Sequence, residues 1–363
     1  MENWFEYAIN GNTKGLIELL NEVDVDSRGD IGERKNWTAL MFASRFSNST
    51  SSLDTVKLLL ENGADVNLKN DNKATPLLMA ARISNIDSSY DTVKLLLEYG
   101  ADVNLKNIDG WTALMMAVRY SNTDSTFNTV KLLLEYGADI NLKNNEGWTT
   151  VMLAARYSNN ESSLDTVKLL LKHNPDVNLF KNNGHSALMI ATKYSNDGSS
   201  LDTVKSLLEY GADPFVEINC PTEECRNIID EARWKRLYQR DKETAKRYSK
   251  NSEYYLPKEI WEIILLEKRR QLLCQNLSSD KNKVLLKLFA IELGIEITDR
   301  ITKAQLCGYI STKLVYGKED KYKGVVKSKL DKGANHLLTL ARTFGINTDR
   351  PLSEVISDLA KMY

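Results

Sequence analysis

Cysteine and histidine are scarce, with four of the first and three of the second in 363 residues. Cys220, Cys225, Cys274 and Cys307 are too few to frame a chain of this length with disulfides. Cys220 and Cys225 lack neighbours at zinc-ligand spacing, and His173, His185 and His336 are scattered, so no metal site is expected. No apolar run approaches the roughly 18 residues of a membrane span. The start, Met1-Glu2-Asn3-Trp4-Phe5-Glu6, lacks the basic and apolar regions of a secretory signal. Catalytic patterns are missing too. There is no phosphate loop, no paired histidine on a helix face and no Gly-x-Ser-x-Gly nucleophile. These absences predict a non-enzymatic chain without cofactors or a membrane, in a reducing, cytoplasmic setting.

What is present is ordinary in bulk and uneven in detail. Hydrophobic residues make up 42% and charged residues 27%, as in soluble globular proteins, and the length allows two domains. Net charge is −1, yet residues 1–213 hold 20 Lys+Arg against 28 Asp+Glu, a balance of −8, and residues 214–363 hold 28 against 21, a balance of +7. Two modules with different surfaces follow, and the second suits an acidic partner.

The first 213 residues repeat. Val56, Val93, Val130, Val167 and Val204 stand 37 apart, as do Gly63, Gly100, Gly137, Asn174 and Gly211, which points to a stacked solenoid. Each unit predicts a short helix from near Thr38, Thr75, Thr112, Thr149 or Ser186, with small alanines (Ala43, Ala80, Ala117, Ala154, Ala191) for close packing. A Ser/Asn loop follows, read as a solvated spacer. A second helix is expected to open on a capping box at Ser51/Asp54, Ser88/Asp91, Ser162/Asp165 and Ser199/Asp202, with Ser125/Asn128 a weaker version. It buries a stripe such as Val56, Leu59 and Leu60 and ends at the glycine. Residues 3–26 read as a shortened first unit. The connection from Asp26 to Thr38 carries Arg28, Arg34 and Lys35 and predicts a projecting basic loop.

The runs Thr-Ala-Leu-Met…Ala, Thr-Val-Lys-Leu-Leu-Leu-Glu and Gly-Ala-Asp-Val-Asn-Leu resemble the ankyrin repeat. The resemblance covers six units, 3–26, 36–67, 73–104, 110–141, 147–178 and 184–213, within a domain spanning 1–216. Each unit exceeds the usual 33-residue length by four residues, which fall in the Ser/Asn loop. The glycine before the first helix is present at Gly110, Gly147 and Gly184 but replaced by Asn36 and Lys73, so less regular turns are expected there. The implied fold is an all-α ankyrin solenoid with projecting hairpins, and the implied function is protein–protein interaction.

Residues 217–255 read as a capping or linker helix, with Thr222 at its start, and 256–363 as a C-terminal helical domain. Leu256, Pro257, Glu259, Ile260, Ile264 and Leu265 resemble the start of an F-box. That module docks on a Skp-type adaptor of cullin–RING ubiquitin ligases, and ankyrin proteins of large (giant) DNA viruses end in segments of this sort. An ordinary buried helix is the alternative reading. Leu286 to Ile295 also matches Leu337 to Ile346, in a helix–loop–helix shape similar to small SAP-like nucleic-acid modules. The Lys-rich link from Lys318 to Lys332 is compatible with phosphate contact.

The informative positions are those the repeat does not need for its own packing. In ankyrin proteins the residue before the Thr lies at the hairpin base, here Trp37, Ala74, Trp111, Trp148 and His185. The pair closing the first helix lines the concave face. Here it reads Arg45-Phe46, Arg82-Ile83, Arg119-Tyr120, Arg156-Tyr157 and Lys193-Tyr194. Tryptophan, arginine and tyrosine are the types most enriched at binding hot spots. Two readings stand: contact with an acidic or aromatic-bearing protein target, or stacking of the side chains on one another.

Overall fold

A threonine or serine hydroxyl starts the first helix of every full unit. Thr38, Thr75, Thr112, Thr149 and Ser186 sit in extended backbone and accept from the N–H three residues on, satisfying a donor the helix leaves free. In the computed structural model these caps open α3 (Ala39–Phe46), α5 (Pro76–Arg82), α7 (Ala113–Arg119), α9 (Thr150–Tyr157) and α11 (Ala187–Lys193). The second helices are α4 (Leu53–Glu61), α6 (Tyr90–Glu98), α8 (Phe127–Glu135), α10 (Leu164–Lys172) and α12 (Leu201–Glu209). A shorter pair, α1 (Glu2–Asn10) and α2 (Thr13–Leu19), precedes them. The structure describes residues 2–251, 258–275, 302–315 and 352–362, with 286, 287, 289, 290, 293, 295, 341, 346 and 347 between them. The chain divides into two units, Met1–Cys225 and Arg226–Tyr363.

In the first unit the helices form two layers. Odd-numbered helices pack in sequence from α1 and α3 through to α11, and even-numbered ones from α2 through to α12. The five alanines of the first layer are fully buried, small enough to let neighbouring helices approach. Val56, Val93, Val130, Val167 and Val204 are fully buried as well, with Leu59, Leu96, Leu133, Leu170 and Leu207. Each such side chain contributes about 1.5–3 kcal/mol of apolar burial. The second helices end in the left-handed turn, at Gly63, Gly100, Gly137 and Gly211 and also at Asn174, whose φ is 52°.

The caps of the second helices fall one residue later than the sequence suggested. Ser52, Ser89, Thr126, Ser163 and Ser200 accept from the N–H of Thr55, Thr92, Thr129, Thr166 and Thr203. The earlier serines are occupied elsewhere. Ser121 Oγ, from the end of one unit's first helix, lies 3.1 Å from Ser162 Oγ and 2.9 Å from Thr166 Oγ1 of the next. Ser84 does the same to Ser125 and Thr129 at 3.0 and 2.7 Å. Ser47 and Ser158 repeat the pattern with Ser88 and Thr92, and with Ser199 and Thr203. The side-chain amides of Asn48, Asn85 and Asn122 donate to the carbonyls of Ile86, Thr123 and Asn160. The loop tips are exposed, as a spacer's would be, but the loops do more than span a gap. The serines that flank them form a hydrogen-bonded seam between units, because buried hydroxyls need partners.

A second difference lies near the start. Residues expected to form a basic projecting loop make an antiparallel hairpin of β1 (Arg28–Ile31) and β2 (Arg34–Thr38), so the fold is not strictly all-α. Gly29 is needed there, since a Cβ would stand 2.2 Å from the Phe5 ring.

Helix α13 (Glu223–Asn251) begins in the first unit, where the Thr222 hydroxyl accepts from the Cys225 N–H at 3.1 Å. In the second unit α14 (Lys258–Leu273) packs against α15 (Lys303–Val315) and α16 (Leu352–Met362). Leu266, Leu273, Leu286, Phe289, Leu306, Ile310 and Leu314 belong to its core. Buried charge is paired: Arg269 forks onto Asp241 at 2.9 and 3.0 Å, and Arg270 bonds the buried Glu267. Four cysteines are too few for a disulfide framework, yet Cys274 and Cys307 form one bridge, which joins the end of α14 to α15. The two matched segments share one backbone feature: Ile295 N–H donates to the Ala290 carbonyl and Ile346 N–H to the Ala341 carbonyl, both at 2.9 Å. The link from Lys318 to Lys332 lies outside the described residues.

Candidate protein-binding face

The hairpins hold the tryptophans by backbone. Asn107 Oδ1 accepts from Trp111 N–H at 2.8 Å, and Asn144 Oδ1 from Trp148 N–H at 2.9 Å. The preceding turn requires positive φ. Gly110 takes it at 81°, and Asn36 and Lys73 take it at 60° and 55°. The turns expected to be irregular are thus kept, at a cost from the Cβ. At Gly110 space is limiting too, since a Cβ would lie 2.6 Å from Asn145 Oδ1 of the next hairpin.

At the last turn of each first-layer helix the arginines stack on rings of their own unit and of the next. Arg82 lies 5.4 Å from the Tyr120 ring. Arg119 lies 5.1 Å from Tyr120, 4.9 Å from Tyr157 and 5.7 Å from Trp111. Arg156 lies 5.1 Å from Tyr157 and 3.6 Å from Tyr194. Arg45 sits over Phe46 at 5.4 Å, and Trp37 lies 4.9 Å from Phe42 with Arg34 over it. Such contacts are worth about 0.5–1 kcal/mol each when partly exposed. Burial pushes the Arg45 guanidinium below its ordinary value, with Arg34 and Arg82 adding to this and Asp87 opposing it. Of the ten residues singled out on this face, Arg82 is exposed and the rest are half-buried.

Stacking between units is therefore present, and it leaves surface over. Three participants have no role in the expected set. Lys181 sits 4.2 Å above Trp148 and 3.4 Å from Glu146, whose carboxylate also accepts from Trp148 Nε1 at 3.1 Å. Arg119 Nε meets Glu161 of the next loop at 3.5 Å. That acid falls in register with Asp87 and Asp124, a period readable in the sequence once the loop is known to face the ladder.

The F-box-like set divides. Leu256 and Pro257 lie outside the described residues, as do the side chains of Glu259 and Ile260. Ile264 and Leu265 are buried, so as they stand they are not offered to an external adaptor. Among the described residues no group of three or more His, Cys, Asp or Glu is placed to hold a metal, and no described helix is long and apolar enough to cross a membrane.

A two-layer stack of short helix pairs joined by hairpins, with an aromatic and basic row along the helix ends, defines a solenoid repeat protein. The family model for ankyrin repeats matches in three copies, over residues 5–70, 48–144 and 121–218. That is more than half the chain, which belongs to the ankyrin-repeat family. Two putative ankyrin repeat proteins of Acanthamoeba polyphaga mimivirus are similar to it. One is 47% identical over 65 residues and the other 36% over 83, each match covering 18% of this chain. The chain spans only 11% and 14% of the lengths of these relatives. A solved structure, a predatory endopeptidase from Bdellovibrio bacteriovorus in complex with an immunity protein, aligns at TM-score 0.45 and 27% identity, covering 56% of this chain and 96% of that one.

Proposed function

We propose that the first unit is a protein-binding module whose partner lies along the Trp/Arg/Tyr row, and that the whole chain acts as an adaptor. The observation that carries this reading is the spare surface of Trp111, Arg119, Tyr120, Arg156 and Tyr157. These side chains are half-buried, are not needed by the two-layer core, and are held in place by one another. Side chains ordered before binding lose less entropy on association, and these types dominate hot spots. On the ankyrin pattern this row is the concave face.

The test is capture by the full chain, with the partner identified by mass spectrometry. Trp111→Ala with Tyr157→Ala is expected to abolish capture, whereas Tyr99→Ala with Tyr136→Ala, exposed at the ends of second-layer helices, leaves it intact. Equal capture by both double variants would sink the reading. A ligase-adaptor role for the second unit rests on the Leu256 to Leu265 stretch. Undiminished binding of a Skp-type adaptor after Leu256→Asp with Ile260→Asp removes it.

A further inference from the structure

Each ladder arginine is followed 42 residues later by a position in the next unit's loop. The sequence places Asp87, Asp124 and Glu161 in that register after Arg45, Arg82 and Arg119, and Gly198 after Arg156. Two of these carboxylates act on their arginines: Asp87 opposes the lowering of Arg45, and Glu161 bonds Arg119. At Arg156 the carboxylate is absent. A Cβ on Gly198 would stand 2.0 Å from Arg156 Nη1, so the guanidinium occupies the space a loop side chain would take. Its Nη1 is buried without a hydrogen-bond partner, and Arg156 has no ion pair among the described residues. Beside it Lys193 is exposed, also without an ion pair among the described residues. Both cations lie over one ring, Tyr194, at 3.6 and 5.4 Å.

A buried donor without an acceptor is costly, and a guanidinium binds a carboxylate through two parallel N–H bonds. We propose that Arg156 and Lys193, seated on Tyr194, form the anchor point for a carboxylate side chain of an acidic protein segment lying along the ladder. The inference rests on the protein-binding reading of this face and names its chemistry. Lifting the guanidinium off Gly198 gives Nη1 the acceptor it lacks in the free chain. A polynucleotide fits less well. Residues 1–213 carry a net −8, which opposes a string of phosphates, and Arg119 is already neutralised by Glu161. A few carboxylates meeting one open pair of cations bring less charge into that field than a string of phosphates does.

The test uses the full chain and a short fluorescein-labelled peptide of alternating Glu and Gly with one Phe, its Gln counterpart, and labelled oligodeoxythymidine, read by anisotropy at low salt. The Glu peptide is expected to bind and the Gln peptide to bind about tenfold more weakly, a charge-assisted pair being lost. Arg156→Gln should weaken the Glu peptide about tenfold and leave the Gln peptide unchanged. Gly198→Glu, which returns the carboxylate that Arg119 has at Glu161, should mimic it. Lys168→Gln, exposed on the second-layer helix α10, should change binding less than threefold. Should Gly198→Glu fold poorly, Arg156→Gln with Arg156→Lys as the partial rescue carries the test alone. Wild-type binding of the Glu peptide by Arg156→Gln overturns the anchor. If Trp111→Ala still weakens that binding, the face reading survives; if no ladder variant matters, the face reading fails with it. Failure of the Glu peptide to bind, or tighter binding of oligodeoxythymidine, also overturns the proposal.

Discussion

Replacing Ser121 by alanine tests whether the Ser/Asn loops hold the units together. Ser121 Oγ makes two bonds to the following unit, to Ser162 Oγ and to Thr166 Oγ1. Thr166 keeps a second partner in Ser163 at 3.0 Å, whereas Ser162, 1% exposed, makes no other side-chain bond among the described residues. Net loss of a hydrogen bond costs about 1 kcal/mol, and stranding a buried hydroxyl costs about 1–3 kcal/mol. Ser121→Ala should therefore destabilise the first unit by about 2 kcal/mol, or roughly 4–8 °C in Tm for a unit of this size. Removing Ser162 as well deletes the stranded group, so the double variant should cost less than the two single ones together, by about 1 kcal/mol. Urea unfolding followed by far-ultraviolet circular dichroism measures both. Ser49→Ala serves as control, since Ser49 is exposed and should stay within about 0.5 kcal/mol. A Ser121→Ala midpoint equal to that of the control, or strict additivity in the double variant, would refute the seam.

Three further outcomes are expected. Lys73→Gly should stabilise the first unit by about 0.5–1 kcal/mol in the same urea assay, because Lys73 holds φ 55° against its own Cβ. Gly110→Ala should cost more than that gain, from φ and from the crowding at Asn145. Asp26 takes the hairpin place that Asn67 and Asn104 hold in later units, accepting from the Asp65 N–H, and burial raises its carboxyl above the ordinary value. A raised carboxyl makes the folded state lose stability as pH climbs through it. Asp26→Asn should thus be stabilising by a few tenths of a kcal/mol at neutral pH, with the gain vanishing below about pH 4; a gain that persists in acid contradicts this. Reducing the Cys274–Cys307 disulfide, with 33 residues of separation, should lower the stability of the second unit by about 4 kcal/mol on chain-entropy grounds. An unchanged melting curve in dithiothreitol would exclude that effect.

Much of the first unit was legible without coordinates, because its helices are set by local chemistry repeated at one interval. Thr112 caps, Leu114, Ala117, Val130 and Leu133 lie at helical spacing, and Gly137 ends the pair, so pattern and conformation agree at each step. The alternation of arginine with tyrosine was equally visible. The second unit was not. Its core draws on Leu266, Phe289, Leu306 and Leu314, which share no period, and the pairing of Cys274 with Cys307 depends on where α14 and α15 meet.

By itself the sequence determined the repeat, the caps of its helices to within a residue, and the residue types spared from the core. Tertiary structure decided which serine caps and which crosses to the neighbouring unit. Both serines carry the same hydroxyl, and only the approach of the next unit distinguishes them. It also decided that the ladder arginines stack across units and that Arg156, facing Gly198 instead of an acid, is left without a counter-charge among the described residues. Long-range pairing of this kind is set by the distance between elements, a quantity that composition and period do not carry.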